Sequence, residues 1–239
     1  DRFQPVVGNV ADALELMRER GIEKVDGWLV DLGVSSRQFD CDARGFSFQK
    51  EGPLDMRMGP SSPLTAAEIV NNWSEQEIAR VIWEYGEDRS SRRIAKIICE
   101  RRASKPFETT LDLAQHIEKH VPRYGKKIHP ATQTFQALRI EVNDELGALK
   151  KLLETAADLL APGGRLCVIS FHSLEDRMVK RFLKNASMKE IDRPEWPEPR
   201  PNPEYKFTAI TRKPIKATAE EVKRNARSRS AVRRVGERI

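Results

Sequence analysis

Val25-Asp26-Gly27-Trp28-Leu29-Val30-Asp31 is a short apolar run closed by a carboxylate. It is too short for a stable helix, and it reads as a strand buried in a parallel sheet. Upstream lie a short apolar stub, Val6-Val7, the pair Gly8-Asn9, and a helical stretch carrying Ala13, Leu14, Met17 and Arg18 that Gly21 ends. Far downstream a second run of the same kind, Arg165 to Phe171, follows the turn-forming Ala161-Pro162-Gly163-Gly164. Before that turn Leu146, Leu149, Leu153, Ala156 and Leu160 form a helical stripe. After the run, Ser173-Leu174-Glu175-Asp176 reads as a capping box opening a helix to about Lys184. Strands alternating with helices predict an α/β fold with a doubly wound sheet.

The stretch between the two runs has a different period. Thr65 to Glu68 and Ser74 to Glu77 both read as capping boxes. Ile78, Val81, Ile82 and Tyr85 make one apolar face, Ile94, Ile97 and Ile98 another, and Leu111, Ala114, Ile117 and Val121 a third. Helical faces with no strand candidate predict an insertion over residues 64–142, dividing a sheet domain into 1–63 and 143–239. Asp192–Pro203 is proline-rich and reads as a loop, and Tyr205–Thr211 as an edge strand.

The net charge of +6 is unevenly placed. Ten Lys/Arg against three Asp/Glu fall from Arg212 to Ile239, leaving the remaining chain nearly neutral. Such a tail is the footprint of a polyanion partner or, more plainly, a solvated segment. A structural version also stands, in which Val232 and Val235 dock it on the sheet. Cys41, Cys99 and Cys167 form no CxxC pair, so the expected compartment is reducing and cytoplasmic, with no cysteine zinc site. No membrane span is expected, because no run approaches the roughly 20 apolar residues required. His116 and His120 stand four apart without the glutamate of HExxH, and no metal is expected. Neither GxxxxGK[ST] nor GxGxxG occurs.

Ligands of open parallel sheets sit outside the carboxyl ends of strands. Three loops are candidates there: Gly8-Asn9-Val10, Asp31 to Gln38, and Phe171-His172-Ser173. The second offers a carboxylate, a glycine, two hydroxyls and an amide. A plainer reading has Asp31 capping a turn and the serines capping a helix. The following segment, rich in Gly, Pro, Arg and Asp, reads either as a substrate-gripping lid or as an irregular connector.

These segments resemble one family closely. Asp31-Leu-Gly-Val-Ser-Ser36, Arg44-Gly-Phe-Ser-Phe48, Gly52-Pro-Leu-Asp-Met-Arg-Met58, Tyr85-Gly-Glu-Asp-Arg89, Thr134-Phe-Gln-Ala-Leu-Arg-Ile140, Ile169-Ser-Phe-His-Ser-Leu-Glu-Asp-Arg177 and Asn225-Ala-Arg-Ser-Arg-Ser-Ala231 resemble the ribosomal RNA small subunit methyltransferase H family. The matches run in order from about residue 8 to the end. The resemblance implies a class I methyltransferase (Rossmann-like) sheet with a helical insertion. It also implies an S-adenosylmethionine-dependent enzyme that methylates N4 of a cytosine in the decoding region of bacterial 16S rRNA, with the small ribosomal subunit as partner and DNA not expected.

Family cofactor contacts fall on Val10, Asp31 and Gln38, with valine at 10 where the family often has phenylalanine. Substrate-side candidates are Ser35, Ser36, Asp55 and His172, no general base being assigned, and Phe46, Phe48 and Met56 are candidates to receive a splayed base. Arg89, Arg92, Arg93, Lys96, Arg101, Arg102 and Lys105 on the insertion, with the C-terminal cations, are candidates for the RNA backbone. The family's glycine-rich cofactor loop and first strand have no counterpart here, so the resemblance implies a sheet incomplete at its N-terminus. The alternative function is a noncatalytic RNA-binding fragment.

Overall fold

Leu166, Val168 and Ser170 are buried while the residues between them are more accessible, the period of two that a pleated strand imposes. The computed structural model describes residues 3–59, 62–122 and 128–239. In chain order the elements are α1 (Ala13–Arg18), β1 (Val25–Asp31), α2 (Ser36–Asp40), α3 (Ala66–Asn72), α4 (Glu75–Gly86), α5 (Ser91–Arg102), α6 (Thr110–His120) and α7 (Thr132–Asn143). Then follow α8 (Glu145–Leu159), β2 (Leu160–Ser170), α9 (Ser173–Ala186), β3 (Glu190–Ile191), β4 (Arg200–Pro201), β5 (Phe207–Ala209), β6 (Ile215–Lys216), α10 (Ala219–Arg224) and β7 (Val232–Arg238). They form two compact units, residues 1–33 with 146–239, and residues 34–145.

The first unit is the α/β one. β1 and β2 run parallel, with Asp31 opposite Ile169. The Ala161–Gly164 turn is absorbed into β2 as a register jump, Val25 opposing Leu160 but Gly27 opposing Arg165. Gly163 takes φ +80° there, a value that side chains other than glycine rarely adopt. Leu149, Leu152, Leu153 and Ala156 of α8 and Val179 and Leu183 of α9 are buried with Val30, Leu166, Val168 and Phe207 in one core. Val6-Val7 forms no strand, and Val7 is fully exposed.

The C-terminal segment corrects the sequence reading. Instead of a basic tail, β7 lies inside the sheet, antiparallel to β2 on one side and to β5 and β6 on the other, giving the order β1-β2-β7-β5. Its alternation buries Arg234, which makes two hydrogen bonds to Asp176 of α9 at 2.7 and 3.0 Å. Arg238 donates to the carbonyls of Ala157 and Lys206. The docked, structural version therefore holds for this strand.

The second unit is helical. Ile78 and Ile82 of α4, Ile94 and Ile98 of α5, Leu113 and Ile117 of α6 and Leu138 of α7 share its core. Ser74 and Glu77 form the expected capping box. At Thr65 only half of one forms, because the Glu68 carboxylate accepts from Asn72 instead. The unit is wider than residues 64–142. Phe46, Leu54 and Met56 are buried among its helices, so residues 34–63, grouped by the sequence with the sheet, belong here. No described helix is long and apolar enough to cross a membrane.

Candidate active site

The chemistry-bearing residues fall in both units. In the first, Asp31 ends β1 with an exposed side chain that has no hydrogen-bond or ion-pair partner among the described residues. The next backbone N–H, Leu32, donates to the Ile169 carbonyl at 3.0 Å, continuing the parallel ladder and fixing where Asp31 leaves the sheet. Gly33 then turns at φ +84°. A β-carbon there would come within 3.9 Å of the Phe171 ring, so the turn is governed by its dihedral and not by crowding.

At the same sheet end the chain leaves β2 through Phe171 and His172. The cap of α9 is His172, one residue before the expected Ser173: its Nδ1 accepts from the Glu175 N–H at 3.4 Å. The buried Glu175 carboxylate returns the favour, accepting from the Phe171 N–H at 2.8 Å and the His172 N–H at 3.3 Å. His172 Nε2 lies 3.2 Å from Glu175 Oε1, within ion-pair reach if the ring is protonated, but without hydrogen-bond alignment. With its side chain only 7% exposed, His172 holds a helix start and shapes the loop beside Asp31's strand end. Val10 sits in a short 3-10 turn capped by the Asn9 side chain, and is exposed.

In the second unit Ser35 and Gln38 form a reciprocal capping box at α2, Ser35 Oγ accepting from the Gln38 N–H and Gln38 Oε1 from the Ser35 N–H. Gln38 Nε2 donates to the Met58 carbonyl at 3.2 Å. Both ends of that amide are therefore engaged in shaping its own loop, and the plain capping reading holds for Ser35. Ser36, at the first turn of α2, is exposed, and its hydroxyl has no partner among the described residues.

The Arg44–Met58 segment is locked, not lid-like. A β-carbon on Gly45 would lie 2.0 Å from the Pro53 carbonyl oxygen, and one on Gly52 the same distance from that of Asp42. Two glycines thus let two backbone arms touch. Met56 sits at φ +61°, a costly conformation for a side-chain-bearing residue, with its side chain buried. Asn143 of α7 holds it from both sides, donating to the Met56 carbonyl and accepting from the Met58 N–H, at 2.8 and 2.7 Å. Arg44 donates to the carbonyls of Arg57 and Met58. Asp55 is gripped by the Arg57 guanidinium, whose hydrogen bonds hold its carboxyl below the usual carboxylate range.

Two expectations fail here for a common reason. Phe46 and Met56 are core residues, and Phe48 packs its ring 4.8 Å from those of His129 and Phe135. The apolar surface of Phe46 and Met56 is covered by folding, so these two do not receive a base, whereas Phe48 stays half-buried. The cations of the insertion divide similarly. Arg92, Arg93 and Lys96 are exposed on α5, and Arg89 precedes it. Arg101 instead pairs with Asp112 and lies over the Phe107 ring, and Arg102 donates to the Val70 and Trp73 carbonyls at the end of α3. His116 and His120 each turn a ring nitrogen to a backbone carbonyl, and burial pushes the His116 imidazole below its ordinary pKa.

Comparison with known proteins adds a second line. The model of the MraW methylase family matches residues 1–239. The chain is 50% identical over 240 residues to a protein of Paramagnetospirillum magneticum named ribosomal RNA small subunit methyltransferase H, covering 99% of this chain and 75% of that one. A protein of the same name from Deinococcus deserti is 50% identical over 97% of this chain and 71% of its own length. Another, from Carboxydothermus hydrogenoformans, is 45% identical over 100% and 77%.

Proposed function

Because the chain belongs to the MraW methylase family, we propose that it uses S-adenosylmethionine to methylate RNA of the small ribosomal subunit, at N4 of a cytosine in the decoding region. The observation that carries the reading is Asp31, an exposed and unpartnered carboxylate at the carboxyl end of a parallel strand. A carboxylate so placed fits the polar groups of the cofactor, which makes Asp31 the residue to hold it. Exposed Val10 fits as an apolar wall. Gln38, with both amide ends bonded, acts by fixing the Met58 backbone.

When bound, S-adenosylmethionine supplies a sulfonium-activated methyl group for in-line displacement by a nitrogen lone pair. The N4 amine of cytosine is a weak nucleophile, since its lone pair is delocalised into the ring. Acceptors are needed to orient its N–H groups and to hold the proton it sheds. Of the four substrate-side candidates, Ser35 and His172 are engaged in helix caps and Asp55 is neutralised by Arg57. Ser36 alone of the four keeps an open hydroxyl, which leaves it as the candidate to accept a hydrogen bond from the amine.

The test is methyl incorporation. Protein is incubated with methyl-labelled cofactor and small subunits from a strain lacking the modification, and the RNA is digested to nucleosides. Label in N4-methylcytidine is the expected result. Label elsewhere in the RNA would overturn the N4 assignment, and no label in RNA would overturn the function.

A further inference from the structure

α9, on the first unit, carries its charge on one side. Glu175, Val179, Leu183 and Ala186 are buried on its inner face. Arg177, Lys180, Arg181 and Lys184 are exposed, and their spacing of three and four residues sets them in one stripe opposite that face. The helix's two acids do not offset the stripe, because Glu175 is buried and Asp176 is held by Arg234. Lys180, Arg181 and Lys184 have no ion pair among the described residues. The stripe runs about 10 Å along the axis at roughly 1.5 Å per residue.

Beside it, between α9 and α8, lies a groove of about 380 Å³. Leu153, Leu174, Met178 and Phe182 form its apolar floor, and Arg181 and Lys150 stand on its rims. One acid also lines it, Glu154, which sits 3.9 Å from Lys150.

We propose that this stripe and groove bind the sugar-phosphate backbone of the substrate RNA, with nucleoside faces against the apolar floor. The inference rests on the proposed function for the identity of the polyanion. Closely spaced cations, Lys180, Arg181 and Lys184 without an ion pair among the described residues, beside half-buried aromatic and thioether surface match single-stranded RNA, which presents repeating phosphates and open bases. The β7 cations cannot all serve in this way, since Arg234 and Arg238 are bonded into the fold.

The experiment compares wild type with Lys180→Glu/Arg181→Glu/Lys184→Glu, measuring affinity for the small-subunit RNA as a function of salt. Each lost phosphate contact lowers the slope of log K against log salt by roughly 0.7–0.9, so the variant's slope should be smaller by about two. Its affinity in low salt should fall at least tenfold, with KM for RNA rising and Kd for the cofactor unchanged. An unchanged slope overturns the proposal. So does a variant with wild-type affinity for naked RNA but reduced labelling of intact subunits, which would assign the stripe to a ribosomal protein. If the reversal lowers the melting temperature, Lys180→Gln/Arg181→Gln/Lys184→Gln gives the same test with a smaller expected change. A wild type that methylates no RNA yet binds it through the stripe would overturn the proposed function and leave this surface standing.

Discussion

Two segments, Cys41–Met58, whose sequence reads as a lid or connector, and Arg212–Arg238, whose sequence reads as a basic tail, are both built into their units, but by different physics. β7 is held by a backbone ladder to three other strands. The 41–58 loop is held by a few side chains reaching backbone groups, chiefly Asn143, Arg44 and Gln38. A ladder is indifferent to most of its side chains but fails if the strand is removed. A clamp fails at single atoms. Function has to be sought among the residues that neither device consumes, and Asp31 is the clearest of these.

The comparison breaks first at β7. A chain ending before Val232 leaves β5 and β6 without their partner and Asp176 without Arg234. Cooperative melting of the first unit should be lost, as followed by calorimetry and circular dichroism. A truncated chain melting as the intact one does would mean the ladder is dispensable.

Next in size is the clamp. Asn143→Ala strands the Met58 N–H and the Met56 carbonyl and leaves Met56 in a strained conformation. Removing partners from part-buried polar groups costs about 1–3 kcal/mol. Denaturant titration should show that loss, and a change below about 0.5 kcal/mol would show that the loop holds its own shape.

A smaller effect separates the two carboxylates. Arg57 lowers the pKa of Asp55 in the folded protein, so the ionised form is favoured by folding. The stability this contributes is present above the unfolded carboxylate value near 3.9 and is lost as pH falls through the lower folded value. Asp55→Asn should therefore melt below wild type at pH 6, and the gap should close as the pH falls below about 4. A gap that stays constant there would mean the pair acts through shape alone.

Asp31→Ala is expected to change stability least, by less than about 0.5 kcal/mol, since an exposed side chain without partners is removed. Its cofactor Kd should nevertheless rise about tenfold or more, the value of a lost hydrogen bond to a charged group. Calorimetric titration showing unchanged affinity in the folded variant would remove Asp31 from the site.

What the sequence disclosed follows the same division. Local signals survived: the β1 and β2 runs, the α8 stripe, and the Ser74 box all depend on residues within one or two turns of each other. β7 is legible only as one of two open readings, because Val232-Arg-Arg-Val-Gly-Glu-Arg238 has neither period and its strand character comes from β2 and β5, distant in sequence. The burial of Phe46 and Met56 was hidden likewise, because loop composition gives no sign of what covers it. The α9 stripe is legible on a helical wheel, where Arg177, Lys180, Arg181 and Lys184 fall on one side, although the C-terminal segment is denser in charge. The cap of α9 was missed by one residue, since His172 and Ser173 both carry an acceptor.

The second unit interrupts the first between Gly33 and Leu146, and this sets the order of events during folding. Asp31 must find Ile169 about 140 positions later, and closing so long a flexible loop costs roughly 3 kcal/mol more than closing one of a few residues. Helical contacts are local and form fast, whereas distant strand pairing is slow. On a ribosome the helical unit emerges before β2 does. Once folded it shortens the loop that β1 and β2 must close, so substitutions that slow its folding should delay the sheet without touching any strand.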